Sequence, residues 1–277
     1  MKTVLLLDID NTLTPPRRPL NKEMADIVNR LNVPFHVAAG SHMKILQEQF
    51  FSPLYLFGFR QQFDAFLSNG AIHYHCDYSE KMSVEVVSAF NIREYLGESD
   101  YRSIINILEK TLGRPEFRLP SELDIMGEQV AFRGSMINLC PIGRTEEENT
   151  TYHHNRDLFV KFDQMHGYRQ GVMTYLKGAL ADFMSERSLA ITLGGQTSFD
   201  IGIAHQDKST AVRTLLDSGI EKIIFIGDAL FEGGNDAPIR EFRDNWPFEQ
   251  GPCPLETIQV NSYTETVERL YELNFVN

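Results

Sequence analysis

The sequence of 277 residues lacks long hydrophobic runs, and it has few cysteines and a deficit of positive charge. Its first apolar stretch, Val4 to Leu7, ends at Asp8. No window reaches the roughly 20 apolar residues that a membrane-spanning helix needs. The same stretch is too short to be the hydrophobic part of a secretory signal. We therefore expect a cytoplasmic protein with no membrane partner.

The three cysteines, Cys76, Cys140 and Cys253, lie far apart and are odd in number, so neither a disulfide framework nor a zinc site is indicated. The chain has 38 acidic and 26 basic residues, a formal net charge of −12. Because nucleic acids bind basic surfaces, we expect no nucleic-acid partner. A phosphorylated substrate stays possible, since a few arginines and a metal ion can reverse the field locally.

Apolar runs alternate with segments of helical spacing at both ends of the chain. The predicted strands are Val4–Leu7, Pro34–Ala39, Asp64–Leu67 and Lys222–Ile226, and the predicted helices between them are Asn21–Leu31, His42–Phe50 and Lys208–Leu216. This alternation predicts an α/β fold with a Rossmann-like, doubly wound parallel sheet.

The middle of the chain has a different pattern, with long amphipathic helices such as Asp100–Leu112 and Arg156–His166. Strand-like pieces, Gln129–Arg133 and Ser135–Leu139, lie between them. We expect an α+β cap domain over residues 81–187, inserted into a core domain formed by residues 1–80 and 188–277.

Polar side chains follow the predicted strands at the ends where sites form in open α/β sheets. Asp8 and Asp10 follow the first strand, and two carboxylates at this spacing can act as a nucleophile and a general acid. Taken alone, such aspartates are also common in turns.

Three further groups complete the pattern. Ser41 after the second strand and Lys208 at a helix start can hold a phosphoryl group. Asp228 and Asp236 lie in a glycine-rich loop whose oxygens suit a hard cation. Each also has a plain structural explanation: an N-cap, an exposed lysine or a solvated turn.

The order Asp-x-Asp-x-Thr, Ser, Lys, Gly-Asp and Asn-Asp resembles the haloacid dehalogenase (HAD) superfamily. Five strings are similar to eukaryotic-type phosphomannomutases, and they run through both predicted domains. They are DIDNTLTPPR at 8–17, AGSHMKILQEQ at 39–49, FRGSMINLCPIGR at 132–144, GGQTSFD at 194–200 and GDALFEGGND at 227–236.

The resemblance implies interconversion of mannose 6-phosphate and mannose 1-phosphate. Asp8 would be the nucleophile and Asp10 the general acid and base, with Mg²⁺ held by Asp8, Asp10, Asp228 and Asp236. It also implies a hexose phosphate substrate, a hexose 1,6-bisphosphate activator and a homodimer formed through the cap. The substrate would be bound by Ser41 and Lys208 at the transferring phosphate, by Arg133 and Arg144 at the distal phosphate, and by Arg17, Ser198 and Asp200.

The sequence departs from the family pattern at several places. Asn11 stands where the family usually has glycine, and Ala229 where lysine is usual. A further cap arginine is absent, because residues 147–150 read Glu-Glu-Asn-Thr. Two alternatives therefore stay open: a Mg²⁺-dependent sugar-phosphate phosphatase on the same fold, and a catalytically silent sugar-phosphate binding protein. The close histidine pairs, His73 with His75 and His153 with His154, are interpreted as packing or surface residues.

Overall fold

The apolar run at the start of the chain forms an interior strand of a seven-stranded sheet. The computed structural model describes residues 2–145 and 149–276. Within them the strands are β1 (Thr3–Leu7), β2 (Phe35–Ala38), β3 (Gln62–Leu67), β4 (Ile72–Asp77), β5 (Ser83–Ala89), β6 (Glu128–Phe132), β7 (Ile137–Arg144), β8 (Leu189–Gly194), β9 (Ser198–Ile203), β10 (Lys222–Gly227) and β11 (Leu255–Gln259).

Helices follow most of these strands. They are α1 (Lys22–Asn29), α2 (Met43–Leu46), α3 (Ser52–Leu56), α4 (Ile92–Leu96), α5 (Glu98–Leu112), α6 (Thr150–His166), α7 (Tyr168–Ala179), α8 (Ala181–Glu186), α9 (Ser209–Asp217), α10 (Ala237–Asp244) and α11 (Tyr263–Glu272). A π-helical turn, Gln47–Phe51, joins α2 to α3, and short 3₁₀ turns span Pro115–Phe117 and Phe248–Gln250. No helix of the described chain is long and apolar enough to cross a bilayer.

Two compact units divide the chain. The core unit contains the residues up to Ala89 and those from His205 onward, and the inserted unit is Phe90–Ala204. The core sheet has the order β11-β10-β1-β2-β3-β4-β5, parallel from β11 to β3 and antiparallel over the β3–β4–β5 edge. The predicted doubly wound α/β fold is confirmed.

The strand β1 is buried on both faces, and its residues from Val4 to Leu7 are all apolar. Val4 and Leu6 point into a cluster that includes Val212 of α9 and Ile239 of α10. Leu5 and Leu7 point into the opposite cluster with α1 and the π-helical turn. Alternate side chains of a strand face opposite ways, so an uninterrupted apolar run requires helices on both sides.

The inserted unit is a four-stranded antiparallel sheet of order β6-β7-β9-β8. Its apolar positions, such as Leu139 and Phe199, pack in one cluster with α5, α6 and α7. Ser198 and Asp200 alternate with these apolar positions along β9. The two-residue period therefore assigns them to the opposite face of the sheet.

The boundaries of the two units differ from those we predicted. Residues 83–89 form β5, which pairs with β4 and so belongs to the core unit. Residues 189–203 form β8 and β9, which pair with each other and with β7 in the inserted unit. As a result, Ser198 and Asp200 lie in the inserted unit and not in the predicted core domain.

A histidine cluster surrounds Asp64 on the core sheet. Nδ1 of His75 lies 3.0 Å from Asp64 Oδ1, and His36 Nδ1 and His73 Nε2 each lie 3.5 Å from the same carboxylate. The backbone N–H of Asp64 donates to His36 Nδ1 over 3.0 Å. Burial lowers the pKa of His36 to about 4, although the carboxylate of Asp64 pulls it upward. His36 is therefore neutral at neutral pH.

Acid should destabilise the fold through His36. Its pKa is 6.5 when unfolded and about 4 when folded, so between these values the unfolded chain binds more protons. The free energy of unfolding should fall as the pH drops through this window, by on the order of 3 kcal/mol for this group. Urea unfolding at pH 7.5 and pH 4.5 should show a smaller loss in His36→Gln than in the wild type. The exposed control His154→Gln should behave like the wild type, and equal losses in all three proteins would contradict the assignment.

Candidate active site

The carboxyl ends of β1, β2 and β10 bring together the polar groups that follow them. These strands are parallel neighbours in the core sheet, so their ends share one edge. Asp8 follows β1, Ser41 lies shortly after β2, and Asp228 follows β10. Lys208 lies immediately before α9.

Lys208 forms two ion pairs in the interior of the core unit. Its Nζ lies 2.5 Å from Asp8 Oδ1 and 2.5 Å from Asp236 Oδ1. All three side chains are buried. A lone buried ammonium would lose much of its hydration energy, and the two carboxylates offset that loss. The structure therefore brings together three residues that are up to 228 positions apart in the sequence.

Burial and the neighbouring charges shift the pKa values of Asp8 and Lys208. Burial raises the pKa of Asp8 to about 7, and the carboxylates of Asp236 and Asp228 add to the rise, whereas Lys208 opposes it. Burial lowers the pKa of Lys208, but Asp8 and Asp236 outweigh this and raise it overall. A cation beside Asp8 would therefore favour its ionised, nucleophilic form.

Three carboxylates form a candidate metal centre. One oxygen each from Asp8, Asp228 and Asp236 lies within 4.8 Å of the others, the only such acidic group among the described residues. Oxygen ligands of this kind fit Mg²⁺. Both oxygens of Asp236 already have partners, Oδ1 with Lys208 and Oδ2 with the backbone N–H of Ala229 at 3.1 Å. Asp8 and Asp228 are therefore the freer ligands.

Asp10 is held by a residue that the sequence analysis did not single out. Its Oδ1 accepts hydrogen bonds from Gln49 Nε2 at 2.7 Å and from the backbone N–H of Arg17 at 2.8 Å. Gln49 is buried in the π-helical turn and also donates to Thr14 Oγ1 over 2.9 Å. The Arg17 backbone has φ +54°, and its side chain is exposed. The spacing of apolar residues does not reveal a π-helical turn. The string at 39–49 therefore contains Gln49 but does not show that its side chain reaches Asp10.

The loop after β2 is closely packed against two neighbouring loops. A Cβ atom at Gly40 would lie 3.1 Å from Asn69 Oδ1 and 3.4 Å from Asn235 Nδ2. A side chain at position 40 would press on both asparagines, so glycine suits the close approach of these loops. Asn235 comes from the same segment as Asp236, so the loops after β2 and β10 meet as predicted.

In the inserted unit, two predicted substrate residues are in direct contact. Arg144 Nη2 donates to Ser198 Oγ over 3.0 Å, and Arg144 Nε is a buried donor without a partner among the described residues. Asp200 accepts from Asn138 Nδ2 over 2.6 Å, a contact that the sequence did not indicate. Arg133 is exposed in the turn between β6 and β7. Arg144 lies at the other end of that hairpin, opposite Glu128 in the strand register. The segment in which the family pattern has a further cap arginine includes Glu147 and Glu148, which lie outside the described residues.

Comparison with known proteins agrees with these features. A family model described as eukaryotic phosphomannomutase matches residues 21–248. Phosphomannomutase 2 of Dictyostelium discoideum is 31% identical over 243 residues, covering 86% of each chain. The phosphomannomutase of Spinacia oleracea is 32% identical over 244 residues, covering 85% of each chain.

Solved structures share the fold at low sequence identity. An IMP-nucleotidase of Plasmodium falciparum superposes with a TM-score of 0.59 at 15% identity, covering 98% of this chain and 68% of that one. A trehalose-6-phosphate phosphatase of Aspergillus fumigatus gives a TM-score of 0.56 at 11% identity, covering 99% and 92%. At these identities the likeness concerns the fold alone.

Proposed function

The chain belongs to the eukaryotic phosphomannomutase family, and on that premise we propose that it interconverts mannose 6-phosphate and mannose 1-phosphate. It is an enzyme, a phosphotransferase of the HAD superfamily. The observation that carries the proposal is the buried Lys208 bridging Asp8 and Asp236. A protein that only binds sugar phosphates has no need for a nucleophile activated in this way.

Asp8 would act as the nucleophile in both half-reactions. A carboxylate oxygen of Asp8 forms a bond to phosphorus, and the bond from phosphorus to the sugar oxygen breaks. Asp10 gives a proton to that leaving oxygen. In the second half, Asp10 takes the proton from the other sugar hydroxyl. The oxygen of that hydroxyl bonds to phosphorus while the bond from phosphorus to the Asp8 oxygen breaks, which restores the carboxylate. Gln49 holds Asp10 in place for both transfers.

Mg²⁺ would be held by Asp8, the carbonyl of Asp10 and Asp228, with Asp236 as a further acidic partner. Bound there, it would offset the negative charge on the phosphoryl oxygens. Ser41 and Lys208 would bind the transferring group, and Arg17 the substrate beside it.

A mutase must bind a second phosphate, whereas a phosphatase needs only one. Arg144 suits this role because its buried Nε has no partner within residues 2–145 and 149–276, which leaves part of the guanidinium fork for a phosphate. Ser198 fixes the other arm of Arg144. Arg133 would bind the same distal phosphate, and Ser198 and Asp200 would contact the sugar hydroxyls. We also propose a homodimer formed through the inserted unit and activation by a hexose 1,6-bisphosphate, both by analogy with the family.

Arg144→Lys should raise the KM for the hexose phosphate by about 10- to 100-fold, the cost of one or two charged hydrogen bonds. The kcat for phosphoryl transfer should change less, since Arg144 lies outside the group around Asp8. Steady-state kinetics would measure both constants. Arg102→Lys, an exposed arginine paired with Glu98, is the matched control. An unchanged KM in Arg144→Lys would contradict its phosphate-binding role.

The phosphatase alternative is favoured by the missing arginine near residues 147–150. The two activities differ in the group that accepts the phosphoryl group from Asp8. In the phosphatase the acceptor is water, and in the mutase it is a sugar hydroxyl. The test is a product assay on mannose 6-phosphate with Mg²⁺ and a trace of glucose 1,6-bisphosphate. Mannose 1-phosphate forming faster than free phosphate supports the mutase. Phosphate release without isomer would establish the phosphatase.

A further inference from the structure

Asn11 lies between the two loops that carry Asp8 and Asp228. Its backbone is left-handed, with φ +58°. Its side-chain Nδ2 donates to Asp228 Oδ2 over 3.0 Å and to the backbone carbonyl of Asn261 over 3.1 Å. Both hydrogens of the amide are therefore used, one of them on a carboxylate of the acidic group.

The left-handed backbone at position 11 does not by itself explain why the residue is asparagine. A left-handed residue in a tight turn is usually glycine, and asparagine is one of the few other residues that adopt it at low cost. Unlike glycine, asparagine carries an amide donor. The structure shows that this donor is used on Asp228, whose carboxylate accepts no other hydrogen bond from residues 2–145 and 149–276.

The second contact of Asn11 makes its amide a fixed support. Asn261 donates from its backbone N–H and from Nδ2 to Glu265 Oε2, each over 2.8 Å. The neighbouring Val260 N–H donates to the carbonyl of Gly227 over 3.1 Å. The acceptor that orients Asn11 is therefore tied both to α11 and to the residue before Asp228.

We propose that Asn11 is a positioning residue that sets the affinity of the acidic group for a divalent cation, by holding the carboxylate of Asp228 in its binding orientation. The inference rests on the magnesium site of the proposed function. A hydrogen bond to one carboxylate oxygen fixes the rotation of the group and leaves the other oxygen for the cation. Loss of such an outer partner typically weakens metal binding by about 10- to 100-fold.

The test compares metal affinity in Asn11→Gly and in the wild-type chain. Glycine accepts the left-handed backbone but removes the amide. Isothermal titration of the metal-free proteins with Mg²⁺, repeated with Mn²⁺, should give a dissociation constant about tenfold larger for Asn11→Gly. Asn274→Gly is the matched control, since Asn274 has the same φ of +58° and lies after α11, far along the chain from the acidic group. Its affinity should equal that of the wild type.

Melting in EDTA separates positioning from folding. A purely structural role would lower the melting temperature of metal-free Asn11→Gly and leave its metal affinity unchanged, and that result would overturn the inference. Equal weakening in Asn274→Gly would also overturn it, because the effect would then come from backbone freedom. If the wild type itself binds neither cation, the proposed magnesium site fails. If the wild type and Asn11→Gly bind equally well, only the role of Asn11 fails.

Discussion

Asp8→Asn should abolish phosphoryl transfer and at the same time stabilise the metal-free protein. The activity should fall on the order of 10⁴-fold or more, because the nucleophile is removed. The stability should rise because a charge buried beside Asp228 and Asp236 disappears, while the amide keeps the shape and can still accept from Lys208. A gain on the order of 2 kcal/mol is expected at alkaline pH.

The stability gained in Asp8→Asn should depend on pH. The pKa of Asp8 is 3.8 when unfolded and about 7 when folded, so the folded chain holds its proton more tightly. Ionised Asp8 therefore costs stability, and the cost grows as the pH rises from about 4 to about 7. The gain in Asp8→Asn should be largest at pH 8 and should vanish near pH 4.

Urea unfolding in EDTA at the two pH values measures the gain. The control is Asp217→Asn, an exposed carboxylate at the end of α9, which should change stability little at either pH. A loss of stability in Asp8→Asn at pH 8 would mean that the pair with Lys208 outweighs burial and repulsion. Residual transfer activity near the wild-type level would exclude Asp8 as the nucleophile.

Lys208→Met should have the largest effect on folding. It leaves Asp8 and Asp236 buried, close together and without their shared cation. Removing one partner of a buried ion pair typically costs about 3–5 kcal/mol. Phosphoryl transfer should fall by about 10²- to 10³-fold in the folded fraction, because a preorganised donor to the phosphoryl group is lost.

The matched control for Lys208→Met is Lys222→Met. Lys222 pairs with Glu256 over 2.8 Å on the surface, where an ion pair contributes about 1 kcal/mol or less. Denaturant unfolding should therefore separate the two variants by several kcal/mol, and Mg²⁺ should restore part of the stability of Lys208→Met but not its activity. Equal stability of the two variants would contradict the role given to the buried ion pairs.

The strands and helices that could be predicted are those whose own residues show a clear apolar pattern. Val4–Leu7 and Lys222–Ile226 are apolar at nearly every position, and a strand buried on both faces needs that composition. Because parallel strands end at one edge, the convergence of Asp8 and Asp228 also followed from their positions after β1 and β10.

Other elements depend on partners that are distant in the sequence. The strand β4 reads IHYHCD, and its alternation of apolar and polar residues fits a strand but does not identify the partner. It pairs antiparallel with β3, which places His73 and His75 close to Asp64. Similarly, β8 and β9 belong to the inserted unit because β9 pairs with β7, about 60 residues earlier in the chain. No local pattern encodes such pairings, so the predicted boundary at residue 188 fell too early.

The hydrogen bonds of the candidate active site also join residues that are distant in the sequence, so they could not be predicted from it. The motif strings contained Asn11 and Gln49, but only the folded chain shows which carboxylate each one supports. Asn11 and Asp228 are 217 residues apart, and Gln49 reaches Asp10 from a π-helical turn. Residue types at strand ends can be predicted from the sequence, whereas hydrogen bonds between loops require the three-dimensional arrangement.

The most direct test of the account is to follow a radiolabelled phosphoryl group through the enzyme. A hexose 1,6-bisphosphate labelled on one phosphate is mixed with the wild type and Mg²⁺, and the quenched protein is digested to locate the label. We predict that the label appears on the peptide containing Asp8, and that a chase with mannose 6-phosphate moves it into sugar bisphosphate and monophosphate. Label that never appears on this peptide, or that leaves it only as free phosphate, would contradict a mutase working through Asp8.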